Sequence, residues 1–188
     1  RAMLGVIKSR RSVRNYLPNA IGQDALRLVL DAGRYTATAK NAQGCRFIVV
    51  QDELDELKRL VWGGIEDALA LPGADKPRWA TLYEPFLSGV QAGQQDFLFR
   101  NAPAVAFVAA DRADDAGLAA QNMELVAASL NLGVLFNGYL CRAAEALPAV
   151  KAFLRAEDRP LQICMLLGHP AVSYRRTAPR LPGDFVLK

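Results

Sequence analysis

Pro103-Ala104-Val105-Ala106-Phe107-Val108-Ala109 decides the architecture of this chain. A short run of small, aromatic and β-branched apolar residues, introduced by proline, predicts a buried strand. Phe47-Ile48-Val49-Val50 reads the same way and leaves through Gln51-Asp52-Glu53 into a turn and a new helix. A third buried strand is expected over Leu161-Gln162-Ile163-Cys164-Met165-Leu166-Leu167, closed by Gly168 and Pro170. Helical patterns separate them. Ala25, Leu26, Leu28, Val29, Leu30 and Ala32 form one apolar face, with Gly22-Gln23-Asp24 as its entry. Leu118 to Leu132 is apolar all round, so that helix is expected to be buried, either centrally or against a partner subunit. Strands alternating with helices indicate an α/β or α+β layered fold.

One domain spanning 1–188 is the expectation, because 188 residues that are 52% hydrophobic can bury a sizeable core. The net charge is +4 and the isoelectric point about 9.1. The basic residues are dispersed, apart from Arg10 to Arg14 and Arg175 to Arg180, and no continuous basic face with stacking aromatics speaks for nucleic acid. Cys45, Cys141 and Cys164 show no Cys-x-x-Cys spacing, which argues for reduced thiols. No apolar run reaches membrane-spanning length and no secretory leader is visible, so a cytoplasmic location is expected. The chain opens on Arg1 rather than methionine, which fits a processed, truncated or excised piece.

Arg10-Arg11-Ser12-Val13-Arg14 packs three guanidinium groups and a hydroxyl into five residues. Arginine's planar fork suits phosphate oxygens, and a bend at the end of the first helix would aim two of the three at one dianion. The same cluster also reads as a solvated basic patch offsetting a helix macrodipole. Thr38-Ala39-Lys40-Asn41-Ala42-Gln43 sets small residues beside two amides, and by itself reads as a polar loop between helix and strand. Leu69 to Phe99 carries Trp79, Tyr83, Phe86 and several Pro and Gly residues, and reads equally as a movable cover over a pocket or as an excursion whose aromatics pad the core.

In these two motifs the chain resembles the FMN-dependent nitroreductase family, whose members open with Arg-x-Ser-x-Arg/Lys and continue to a Pro-Ser-x-x-Asn-x-Gln-Pro-Trp-like segment. Leu132-Gly133 with Gly138, and Leu167-Gly168-His169-Pro170 followed by Arg175, Arg176 and Arg180, extend the resemblance from Met3 to Pro182. It implies an α+β three-layer fold, with a central, mainly antiparallel sheet flanked by helices, working as a homodimer with one FMN in each of two interface sites. Arg10 and Ser12 are implied at the phosphate, Arg14 at the pyrimidine edge, and Arg11 close by. Thr38, Ala39, Asn41 and Gln43 are implied to come from the partner and lie along the ring. Asn137 and Gly138 are implied in a loop beneath the reactive N5, and Arg176 and Arg180 are implied to return to the phosphate. Ala37 in place of proline, and Gly44-Cys45 in place of Pro-Trp, depart from the family pattern and bear on substrate preference.

The implied activity is ping-pong electron transfer from NADH or NADPH to an electron-poor acceptor such as a nitroaromatic or quinone. The ending from Tyr174 to Arg180 also resembles relatives that carry a ferredoxin-like domain, which raises a ferredoxin-like donor. Two other classes stay open: a flavin-binding or flavin-processing protein of the same fold, and a non-enzymatic basic binding module. His169 is the sole histidine and precedes proline, so metal and Ser-His-Asp chemistry have little support, and no dedicated catalytic residue is assigned.

Overall fold

The computed structural model describes residues 2–187. Four strands, β1 (Arg46–Val50), β2 (Ala104–Ala109), β3 (Gly133–Phe136) and β4 (Leu161–Gly168), form one antiparallel sheet in the order β1-β2-β4-β3. Every residue of β2 is buried, because it is a central strand covered on both faces. Its side chains alternate between two cores, as a period of two requires. Val105, Phe107 and Ala109 face one core with Cys164 and Leu166 of β4, while Ala104, Ala106 and Val108 face the other with Met165 and Leu167.

Helices close both faces. The first core is completed by α3 (Leu54–Ala70), α6 (Gly138–Ala146) and α7 (Pro148–Phe153). The second is completed by α2 (Gln23–Arg34) and α5 (Ala113–Ser129). This is the α+β three-layer arrangement expected from the sequence. Helix α1 (Ala2–Ser9) buries none of its residues, and α4 (Glu84–Gln91) lies within the aromatic segment.

Three sequence expectations change. The apolar face of α2 includes Val29 but not Leu28, which is 52% exposed. Helix α5 starts earlier than Leu118, at Ala113, with Asp114 and Asp115 in its first turn, where acids favour a helix N-terminus. It also stops before Leu132. Asn131 takes a left-handed φ of 59°, and the amides of Asn131 and Leu132 reach back to the carbonyls of Ala128 and Ala127, a Schellman cap with asparagine in glycine's usual place. Finally, Phe136-Asn137-Gly138 is no loop: Phe136 ends β3 and Gly138 begins α6.

Among the described residues, no helix is long and apolar enough to cross a membrane, and no cluster of His, Cys, Asp and Glu could hold a metal ion.

Candidate active site

After α1 the chain straightens and runs alongside β3. The Val13 amide donates to the Val134 carbonyl at 2.9 Å, and Ser12 forms a parallel bridge with Val134. Val13 is buried against Gly133, where the absence of a side chain allows the two backbones to approach. The Tyr16 hydroxyl donates to the Val13 carbonyl at 2.7 Å. The basic motif is therefore fixed to the sheet by its one apolar member, and its polar members stay accessible.

This extended run stands where a bend was expected to gather the guanidiniums; each has its own anchor, yet Arg10, Arg11 and Arg14 all line one cavity. Arg10 pairs with Glu124 of α5 at 3.2 Å, whose side chain is 3% exposed. Arg11 stacks over the Tyr174 ring at 4.4 Å and donates to the Arg176 carbonyl at 2.9 Å. Arg14 donates to the Ser12 carbonyl at 3.3 Å. The C-terminal segment folds back over them, and Arg10, Arg11, Ser12, Arg14 and Arg180 surround a cavity of about 300 Å³ that no carboxylate lines. Arg176 reaches this cluster through its backbone carbonyl.

A second cavity of about 530 Å³ adjoins the first, and Arg14 lines both. Its walls include Leu82, Phe97, Leu135, Phe136 and Tyr139, with Arg100 and Arg142 as further cations. Asn137 and Gly138 stand at its floor. The Asn137 side chain is spent on the fold: its Oδ1 accepts from the Leu140 amide at 3.0 Å, and its Nδ2 donates to the Leu98 carbonyl at 2.6 Å.

The aromatic segment builds this wall. Phe86 stacks on Phe97 with centroids 4.1 Å apart, and Tyr139 meets both edge-on at 5.5 Å. Tyr83 is fully buried and donates to the Tyr139 carbonyl at 2.8 Å; burial pushes its hydroxyl up to about 12. Asp96 ties the segment down by accepting from Trp62 Nε1 and from the amides of Leu98 and Phe99. The aromatics thus both pad the core and face a cavity.

Thr38 and Gln43 line a different cavity, of about 270 Å³, beside Thr36, Cys45 and Phe47. The Gln43 amide donates to Thr38 Oγ1 at 3.0 Å, while Ala39 and Asn41 are exposed. Lys40, Asn41 and Gln43 all have φ between 50° and 55°, so an exposed loop is held in a sparsely populated backbone region. Within one chain, then, the two sequence motifs face different cavities. His169 uses its carbonyl to accept from the Leu17 amide at 2.8 Å, in keeping with a turn residue.

Arg100 and Arg142 had no signal in the sequence, because each stands alone among ordinary neighbours and only the fold brings them to Arg14, whereas Phe97 belongs to the aromatic stretch read as a cover over a pocket and Tyr139 follows Asn137-Gly138 directly.

The nitroreductase family model matches residues 7–169. Among solved structures, a nitroreductase with bound FMN from Bacteroides fragilis is 22% identical, with a TM-score of 0.77 and 100% of both chains covered. A nitroreductase with bound FMN from Desulfitobacterium hafniense is 23% identical, with a TM-score of 0.75, covering 100% of this chain and 99% of the other. An FMN-dependent nitroreductase from Clostridium difficile is 18% identical, with a TM-score of 0.73 and 98% of each chain covered. A search of curated proteins found no match. Its three-layer fold, its sheet-anchored basic motif and the family match over most of its length agree: the chain belongs to the nitroreductase family, a family of FMN-dependent oxidoreductases.

Proposed function

We propose that residues 1–188 form a single FMN-binding domain that works as a cytoplasmic homodimer, passing electrons by a ping-pong mechanism from NADH, NADPH or a ferredoxin-like donor to a nitroaromatic or quinone acceptor. The observation that carries this reading is the shared position of Arg14 between a small cavity lined by guanidiniums and no carboxylate, and an aromatic-walled cavity. FMN has the matching shape: a phosphate at one end, a flat ring at the other, and a chain between.

The residues present fit that group. Arg10, Arg11, Ser12 and Arg180 would hold the phosphate, with Arg176 supporting Arg11 through its carbonyl. Arg14 would meet the polar edge of the ring, where a fixed positive charge favours the reduced, anionic cofactor. Asn137 shapes the floor below it and leaves Gly138 backbone facing the cavity. Bound FMN would supply the redox chemistry; the protein supplies position and charge.

A second chain accounts for what one chain leaves apart. Thr38, Ala39, Asn41 and Gln43 are presented outward by a pre-shaped loop, as a site completed across a seam requires. Met3, Leu4 and Ile7 of α1, and Leu181, Phe185 and Leu187 at the other end, are between 45% and 96% exposed. Apolar surface of this extent needs a covering.

The test is an absorbance scan of the purified protein with and without added FMN, followed by anaerobic addition of NADH and then NADPH. An oxidised-flavin spectrum bleached by either nucleotide is expected. Protein that refuses added FMN would overturn the reading, and bound flavin that neither nucleotide bleaches would move the donor assignment to a ferredoxin-like protein.

A further inference from the structure

Arg100 and Arg142 line the larger cavity together with Arg14, and no Asp or Glu lines it. The two acids close to them in sequence form their hydrogen bonds with other groups. Asp96, four residues before Arg100, spends both oxygens on Trp62 and on the Leu98 and Phe99 amides. Glu145, one helical turn after Arg142, gives one oxygen to Lys151 at 3.0 Å and the other to the Leu161 amide at 2.8 Å. Among the described residues, neither arginine has a salt bridge or a side-chain hydrogen bond, and Arg100 rests instead over the Phe97 ring at 4.5 Å. Arg100 is also held at a left-handed φ of 50° at the turn before β2, so its position is set by the backbone.

Asp96 still exerts its charge on Arg100 from behind the wall, but cations grouped around a space that no carboxylate lines repel one another and favour an anion between them. The remaining walls are aromatic and aliphatic, which suits a flat apolar body. We propose that, with Arg14, Asn137 and Gly138 given to the flavin, the space this cavity keeps beside the FMN ring selects an acceptor that is a planar aromatic carrying a carboxylate or equivalent anion, with Arg100 and Arg142 as the residues that bind the anionic group. The assignment rests on the flavoenzyme reading above and adds the charge of the substrate to it.

The test uses three acceptors with the same reducible ring and different charge: 4-nitrophenylacetate, 4-nitrophenethyl alcohol and 4-nitrophenethylamine. The saturated spacer insulates the nitro group, so differences in kcat/KM report the cavity rather than the ring's own reducibility. Rates are expressed per bound flavin. The carboxylate is expected to exceed the alcohol by about tenfold or more, the lower end for a charge-assisted contact, and the amine to be poorest. R100Q and R142Q should each lower the carboxylate-to-alcohol ratio, and the double variant should bring it close to one. R100K and R142K, which keep the charge, should preserve most of it and guard against misfolding as the cause.

A calorimetric titration with 2-naphthylacetate, which cannot be reduced, reads the same preference without turnover. Its binding should weaken in R100Q/R142Q and with added salt. Equal kcat/KM for the three acceptors would overturn the proposal, as would a ratio untouched by the double variant. A double variant that raises KM for NADPH but leaves the carboxylate preference intact would assign the arginines to the donor's phosphates and also overturn it. Protein that binds no flavin fails the earlier reading instead, and the calorimetric arm then decides this one alone.

Discussion

Gly133→Ala probes how the phosphate motif is held. A Cβ built on Gly133 lies 2.7 Å from Val13 Cβ and Cγ2 and 2.8 Å from Cγ1. Side chains do not approach that closely, and Val13, only 4% exposed, has no free space to retreat into. Gly133 has no left-handed φ, so alanine adopts its backbone without strain and the effect is steric alone. Either β3 or the Ser12–Arg14 run must move, stretching the 2.9 Å bond from the Val13 amide to the Val134 carbonyl. Overpacking of this kind costs about 1–3 kcal/mol, and one weakened backbone hydrogen bond adds about 1 kcal/mol. In a chain of this size each kcal/mol lowers Tm by about 2–4 °C.

Because Ser12 and Arg14 flank Val13, the shift carries them too. FMN affinity should fall by about tenfold or more, the consequence of displacing charge-assisted contacts. The assays are thermal melting of the flavin-free protein and a fluorescence titration with FMN. Gly117→Ala is the control, since nothing lies within 4 Å of a Cβ there. A Gly133→Ala protein that melts with the wild type and binds FMN equally would refute the claim that β3 positions the motif.

Arg10→Ala would remove the proposed phosphate contact and leave the buried Glu124 with Gln121 but no cation, so it should weaken FMN binding by about 1–3 kcal/mol and lower Tm; adding Glu124→Gln should restore Tm but not FMN affinity, as paired melts and titrations would show. Neighbouring glycines of α3 should respond differently in melting experiments: Gly63→Ala, with open space around it, gains about 0.5–1 kcal/mol, whereas Gly64→Ala forces the Leu147 side chain, 2.6 Å away at Cδ2, to turn aside and gains less than Gly63→Ala. Alkali should unfold the protein progressively. Burial raises Cys141 from 9.0 and Tyr83 from 10.0 to about 12 each, so from pH 9 upward the unfolded chain releases protons the native one keeps. Stability then falls with rising pH by about 1.4 kcal/mol per pH unit for each group in its window, and denaturant melts of Cys141→Ala between pH 9 and 12 should show a shallower decline.

How far the sequence disclosed this depends on local signal strength. Strands β1, β2 and β4 were legible because each is dominated by a run of at least four apolar residues, Phe47–Val50, Ala104–Ala109 and Ile163–Leu167. Strand β3 has four residues and opens on glycine, so nothing local separates it from a loop, and its partner β4 lies far along the chain. The ends of α5 needed Asp114 and Asp115 to be read as first-turn acids and Asn131 as a left-handed cap. At the site, Arg10 to Arg14 stood out as a cluster, yet which guanidinium faces which group follows from Glu124 and Tyr174, remote positions with no pattern connecting them to the motif. Arg100 and Arg142 lay beyond reach for the same reason.

The placement of acids, more than the count of arginines, determines where this protein presents positive charge. A net charge of +4 is modest, and several surface arginines are matched locally, such as Arg46 with Asp158 and Arg59 with Glu56. Around the two adjoining cavities the matching is selective. Glu124 sits behind Arg10, fixing that guanidinium while leaving Arg11, Arg14 and Arg180 to face the smaller space. Asp96 and Glu145, the acids close in sequence to Arg100 and Arg142, are drawn into backbone amides, Trp62 and Lys151, where they hold the aromatic wall and β4 in place. The same carboxylates that stabilise the walls therefore do not line the cavity, Asp96 acting on Arg100 only from behind the wall. Positive charge inside the cavity is thus a property of the fold, and Lys151→Met should quench it in part: the Glu145 carboxylate, still held by the Leu161 amide but no longer neutralised by Lys151, would lower the carboxylate-to-alcohol ratio in kcat/KM without touching any residue that lines the cavity.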